Sequence, residues 1–276
     1  MSGTEALAMP GEARKAMRPQ SRRTSGTTNG GPNGWTSLPG MLFALARQHP
    51  DRPMLRYWRD GAWQRLAWGE FAVQVSHVAA WLRPRSIMPG DRVMLVGESR
   101  PEWNVADAAI MAIGAVTVPT YTTNTVADHA HILRDSGARA AIVSTAALAA
   151  RVAEAAAGTG GLDLLVCMED AEALPALPHV HASVLPWAEA AACPADPAML
   201  MAEVEQIPAG RLACLIYTSG TAGTPRGVML PHRAMLANRE GVRGLIERLG
   251  VEGEPYLSFL PLSHSYEHTV GCFLLR

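Results

Sequence analysis

Between residues 91 and 168 the chain alternates short apolar runs with longer stretches of helical period, and few folds accommodate that alternation. The runs at 91–96, 115–118, 140–144 and 162–168 have the length of strands and carry their charges only near the ends. Between them, 101–113, Val126–Ser136 and an alanine-rich stretch after 144 repeat apolar residues three and four apart. Strands followed by helices of about ten to fifteen residues predict a mostly parallel sheet with helices on both faces. Upstream, Leu38–Gln48 and Trp68–Leu82 have helical spacing, while 54–58 and 63–66 predict a hairpin about Asp60-Gly61.

After a further apolar run at 212–216 comes Tyr217-Thr218-Ser219-Gly220-Thr221-Ala222-Gly223-Thr224-Pro225-Arg226-Gly227. The glycines let the backbone turn tightly and approach an anion without a side chain in the way. The hydroxyls of Thr218, Ser219, Thr221 and Thr224 are short donors, and the guanidinium of Arg226 is a planar fork suited to phosphate oxygens. The spacing is neither that of the P-loop nor that of the dinucleotide fingerprint. It closely resembles the signature loop of the adenylate-forming superfamily, Tyr-Thr-Ser-Gly-Ser/Thr-Thr-Gly-x-Pro-Lys-Gly, which includes acyl-CoA synthetases, luciferases and peptide-synthetase adenylation domains. This sequence departs at Ala222, where the family has a hydroxyl, and at Arg226, where it has Lys. Arginine keeps the charge and the donors, and the lost hydroxyl removes about 1 kcal/mol of hydrogen bonding.

A second stretch, 256–268, contains Leu-Pro-Leu-Ser-His264-Ser-Tyr-Glu267-His268 and resembles the Leu-Pro-Leu-x-His-x-x-Glu segment of long-chain fatty acyl-CoA synthetases. By that resemblance the segment lines the acyl and adenylate pocket. His264 would stand near the reacting carboxylate, where an imidazole can donate a hydrogen bond or offset charge. Glu267 would orient its neighbours. The same residues also spell His-x-x-Glu-His, an inverted zinc-protease pattern that calls for a third ligand well downstream. Only eight residues follow His268, and the synthetase pattern accounts for the segment, so no metal site is assigned. The pairs His129/His131 and His179/His181 have no cysteine nearby and are expected to be solvated.

The resemblance extends through Pro89-Gly90-Asp91-Arg92-Val93, the alanine-rich 106–115 and Val118-Pro119-Thr120-Tyr121, covering nearly all of the chain after residue 34. It implies an α/β fold, the amino-terminal portion of the adenylate-forming synthetase fold, with mostly parallel sheets flanked by helices and ending within a second subdomain. The expected division is a basic, disordered leader at 1–34, a first subdomain at 35–205, and the start of a second at 206–276 carrying the phosphate loop. Proline-rich 193–210 would be the joint. Next come a helix at 231–249, buried through Ala234, Leu236, Val242, Leu245 and Ile246, and a strand at 256–260.

The implied activity is that of an AMP-forming long-chain fatty acid–CoA ligase using ATP, Mg2+ and CoA as co-substrate. Such a ligase transfers AMP to the carboxylate, releases pyrophosphate and lets the CoA thiol attack the mixed anhydride. Family parts expected beyond this point include the adenine-binding segment, the acidic residue positioning magnesium, and a mobile domain with an assisting lysine. Lys15, in the leader, is the only lysine. Little ligase turnover is therefore expected of these 276 residues alone. The alternative is a nucleotide- or acyl-binding module, or one subunit of a split enzyme completed by a second chain.

A net charge of -1 gives no signal for nucleic acid. Cys167, Cys193, Cys214 and Cys272 are widely spaced, which fits thiols in a reducing cytoplasm rather than a disulfide framework. No apolar run reaches the length needed to span a bilayer, so any membrane contact would be peripheral, at the inner face.

Overall fold

The computed structural model describes residues 34–169, 184–218, 224–250 and 255–268. Most of them build one seven-stranded sheet with helices on both faces. In chain order the strands of the alternating region are β3 (Arg92–Val96), β4 (Val116–Thr120), β5 (Ala140–Val143) and β6 (Leu164–Cys167). They alternate with α3 (Pro101–Ala112), α4 (Val126–Ser136) and α5 (Ala146–Ala156). Ahead of them lie α1 (Leu38–Gln48), the hairpin β1 (Pro53–Arg59) and β2 (Ala62–Ala67), and α2 (Trp68–Leu82). After them come β7 (Val184–Pro186), α6 (Trp187–Ala191), α7 (Pro197–Val204), β8 (Leu212–Thr218), β9 (Arg226–Pro231) and α8 (His232–Leu249).

The sheet order is β7-β6-β5-β3-β4-β8-β9, every pair parallel except β8 with β9. Alternation along β3 shows why the central runs are apolar throughout. Val93 and Leu95 join a cluster containing Phe43, Trp68, Phe71 and Trp103, while Met94 and Val96 join the cluster formed with α4 and α5. A strand with a core on each side has no face left for polar residues.

Local signals set the helix ends. In α4 the Thr125 hydroxyl accepts the Asp128 amide hydrogen, the Asp128 carboxylate accepts that of Thr125, and Gly137 closes the helix at φ 66°. In α1 the buried Ser37 hydroxyl accepts from Gly40 N–H and donates to the Val204 carbonyl, both at 3.0 Å, which joins α1 to the end of α7. Asp60 and Gly61, at φ 53° and 76°, make the two-residue turn between β1 and β2.

The structure departs from expectation in four places. The sheet is continuous across residue 206: β8 pairs with β4 at Thr117↔Cys214, so the strand expected to open a second subdomain extends the first sheet. An apolar run predicts a strand but not which sheet it joins. The segment at 255–260 forms no strand and leaves Leu257 and Phe259 exposed, having no paired strand among the described residues. The stretch at 193–210 holds helix α7, capped by Asp196 with Pro197 at its first position, where proline is compatible with a helix. The helix expected to bury five apolar residues does bury Leu236, but beside it buries His232, Met235 and Arg239 and leaves Ala234 and Val242 half-buried. Leu245 and Ile246 lie outside the described side chains. So do the leader through residue 33, His179, His181, Cys272 and Leu274. Cys167 and Cys214 are buried, as their apolar surroundings predict. No described helix is long and apolar enough to cross a membrane.

Candidate functional site

Ligands of parallel α/β sheets are received at the carboxyl ends of the strands. Thr218 is the last residue of β8, and β8 runs parallel to β4, so the glycine- and hydroxyl-rich loop leaves the sheet at that end. The loop returns as β9, with Thr218 facing Arg226 and Tyr217 facing Gly227. Thr218, Thr224 and Arg226 are exposed there. Ser219, Gly220, Thr221, Ala222 and Gly223 lie outside the described residues.

Gly227 has a packing role that the motif does not announce. A Cβ at this position would come within 3.1 Å of both Leu215 Cδ1 and Tyr217 Cζ, so glycine lets β9 lie against the side chains of β8. Two residues of α4 then hold the ends of the loop. His131 Nε2 donates to the Pro225 carbonyl at 2.8 Å, and its ring meets that of Tyr217 edge-on. The Tyr217 hydroxyl donates to Asp135 Oδ2 at 2.6 Å, and burial followed by this bond raises the phenol above its ordinary range. His131 is thus half-buried and bonded rather than solvated, and His129, two residues before it, is wholly buried. Two histidines two apart carry no sequence signal for either environment.

The second motif reaches the same end of the sheet. Ser99, just past β3, donates to the Leu260 carbonyl at 3.3 Å. Tyr121, immediately past β4, meets the His264 ring at 6.5 Å between centroids. His264 is half-buried, and its Nδ1 accepts the Tyr266 amide hydrogen at 3.1 Å. Glu267 is fully buried and accepts the Tyr256 hydroxyl at 3.1 Å; burial and that carboxylate push the phenol up to about 12.

His268 anchors this segment, and neither motif signals it. It is buried on the edge of the Trp103 ring, and its Nε2 donates to Asp107 Oδ2 of α3 at 2.9 Å. His264 and His268 therefore direct their rings to different partners rather than to a shared point. The Asp107 to His268 bond joins residues 161 apart and seats 261–268 over the strand ends. Asp107→Asn is expected to lower stability by about 1–2 kcal/mol, read from the urea midpoint, because a buried charge-assisted bond becomes a neutral one. An unchanged midpoint would show that the pair does not hold the segment.

Among the described residues, exposed Thr218, Thr224 and Arg226 suit phosphate oxygens. No group of three or more His, Cys, Asp or Glu among them is placed to hold an ion, so no ligand set is assigned to Mg2+. A cavity of about 290 Å³ lies along β8 and β9, lined from Arg92, Val116 and Leu212 at the starts of their strands to Leu215 and Gly227.

A mostly parallel sheet with a glycine- and hydroxyl-rich loop at a carboxyl strand end defines an α/β nucleotide-binding fold. The family of AMP-binding enzymes matches residues 42–275, and the chain belongs to that family. It is 34% identical over 230 residues to the long-chain-fatty-acid–CoA ligase FadD15 of Mycobacterium tuberculosis, covering 83% of this chain and 36% of that protein. It is 25% identical over 248 residues to the long-chain-fatty-acid–[acyl-carrier-protein] ligase AEE15 of Arabidopsis thaliana, covering 87% and 34%. The chain thus spans about a third of the length of these relatives. The fold is similar to that of acetoacetyl-CoA synthetase from Streptomyces lividans, with TM-score 0.67 and 19% identity over 87% of this chain and 37% of that one. It is also similar to the luciferase-like enzyme of the mealworm Zophobas morio, with TM-score 0.67 and 16% identity over 87% and 52%.

Proposed function

We propose that this chain carries the ATP-phosphate loop and part of the acyl pocket of an AMP-forming long-chain fatty acid–CoA ligase. The observation that carries the reading is the convergence of Thr218, Arg226 and His264 at the carboxyl end of one sheet, in a chain 34% identical to such a ligase. In the reaction a fatty carboxylate attacks the α-phosphorus of ATP, forming the acyl-adenylate and releasing pyrophosphate. The CoA thiol then attacks the acyl carbon and displaces AMP. Arg226 and the loop hydroxyls hold the β- and γ-phosphates, the leaving pyrophosphate, as charge builds on them. His264 donates to an oxygen of the reacting carboxylate or phosphate, which favours the more charged transition state. Glu267, buried and bonded to Tyr256, positions the segment. Mg2+ would add charge compensation at the phosphates. The acyl chain length is read from the FadD15 similarity and the 256–268 motif alone.

Arg226→Ala is expected to weaken ATP binding about tenfold or more, the effect of losing one charge-assisted phosphate contact, as measured by calorimetric titration of the 276-residue chain. Equal affinity in both proteins would remove the loop from the site. The reaction itself is tested by exchange of labelled pyrophosphate into ATP in the protein isolated from its source cells. Exchange should require a long-chain acid and should not respond to acetate.

A further inference from the structure

The outward face of the β1–β2 hairpin has a composition that neither the fold nor the nucleotide site calls for. Register places Trp58 directly opposite Trp63 and Arg56 directly opposite Arg65. Successive residues of a strand point to opposite faces, so these four share one side. Trp58 and Trp63 are 61% and 67% exposed, and their rings meet edge-on with centroids 5.7 Å apart. The two arginines are exposed beside them. The inward face is the reverse: Leu66 is buried, and Leu55 and Tyr57 pack against the main core. On that inward side Arg59 is tied to Glu102 of α3 at 2.7 Å. The hairpin is thus fixed to the body of the protein, and its outer face meets solvent.

We propose that this face docks on the headgroup region of an anionic lipid bilayer. Two exposed tryptophans on a rigid strand pair are unfavourable in water. At a membrane interface the indole is satisfied at both ends, its ring among the upper acyl chains and its N–H among headgroups. Arginine completes the chemistry, because its guanidinium pairs with lipid phosphate through two parallel hydrogen bonds. The four outward residues carry two positive charges and no negative one, in a protein whose net charge is -1. The acidic side chains near the hairpin lie at its ends or on its inward side: Asp60 at the turn, Asp51 ahead of β1, whose carbonyl accepts from Arg65 at 3.3 Å, Glu70 on the Ala67 amide, and Glu102 on Arg59. A groove for an apolar peptide would bury its aromatic residues on concave walls; here they stand exposed on the outer face of a two-stranded ribbon, which suits an extended surface. The inference is independent of the nucleotide site, and a chain that failed to bind ATP would leave it standing.

Flotation of the chain with vesicles of phosphatidylcholine and phosphatidylglycerol tests it and separates vesicle-bound protein from aggregate. The expected result is co-flotation with these vesicles, little with phosphatidylcholine alone, and release at high salt. Arg56→Gln with Arg65→Gln should weaken binding about thirtyfold, at about 1 kcal/mol per arginine near an anionic surface. Trp58→Ala with Trp63→Ala should weaken it at least about tenfold through lost apolar insertion. All four side chains point away from the core, so circular dichroism of both double variants should match the parent. Binding that neither variant reduces, or no flotation of the parent, would overturn the proposal. So would self-association abolished by Trp58→Ala with Trp63→Ala in a parent that ignores vesicles, which would make the face a protein interface.

Discussion

Trp103→Ala is expected to lower the free energy of unfolding by about 3–5 kcal/mol, among the largest losses a single side chain can cause. Trp103 lies on α3 with 1% of its surface exposed, at the centre of the cluster that also holds Trp68 and Phe71. Its surroundings are too tight to collapse into the space. Even at Gly97 an added Cβ would lie 3.3 Å from Trp103 Cδ1 and 3.1 Å from Ser144 Cβ. A rigid wall leaves a cavity, and the cavity adds to the lost transfer energy. Because the ring also supports His268, the same substitution should loosen 261–268 and with it His264. Urea unfolding followed by circular dichroism measures the loss. Trp103→Phe separates volume from polarity: the indole nitrogen has no hydrogen-bond partner among the described residues, so phenylalanine loses bulk alone and should retain most of the stability. A loss under about 1 kcal/mol for the alanine variant would mean that the site repacks.

Mild acid should destabilise the protein through two histidines. His129 and His232 are both fully buried, and each imidazole titrates at about 4 instead of 6.5. Burial is the main cause in both; Arg151 adds to it at His129 and Arg211 at His232, while Asp128 and Asp107 partly oppose it. In the unfolded chain both rings take up protons near pH 6.5, whereas the folded protein resists until about pH 4. The unfolded state therefore binds more protons in this window, and stability falls as pH drops through it. Above pH 6.5 both states are neutral and the effect is absent; below about 4 it is complete. At 1.36 kcal/mol per unit, each histidine contributes a loss of up to about 3 kcal/mol. Protonation of His232 would also abolish the acceptor at Nδ1 that takes the Leu38 amide hydrogen at 3.3 Å. Glu102, which burial raises but hydrogen bonds from Arg100 and Arg59 lower on balance, and Asp128, lowered by hydrogen bonds from Thr125, lose their stabilisation as pH falls further, so their contribution begins at the acidic foot of the histidine window. Urea midpoints at pH 7, 5.5 and 4.5 should fall in turn, and His129→Leu should flatten the slope. A midpoint constant down to pH 4.5 would sink the prediction.

Most of the fold before residue 170 was legible because its signals are local. The predicted helices at 68–82 and 126–136 match α2 and α4, and Asp60-Gly61 makes the expected turn. The phosphate loop could be recognised from consecutive residues, and its family is the one to which the chain belongs. The short β7 and α6 were missed, three and five residues being too few to display a period. The candidate site was half legible. Arg226 and His264 stand in motifs, but nothing near them in sequence indicates that Pro225 is held by His131 or that His264 meets Tyr121.

For most of the chain before residue 170 the sequence by itself determined where strands and helices form and which runs face a core, and it marked the loop that suits a phosphate, since these depend on side chains two to four positions apart. The tertiary structure alone decided that β8 and β9 continue the sheet of β3–β6 and that Asp107 grips His268 across 161 residues. It also decided that His129 and His232 are stripped of water and that two tryptophans and two arginines share one outer face. Such features depend on strand order, register and mutual burial, which arise when distant segments compete for the same neighbours and which no local period encodes.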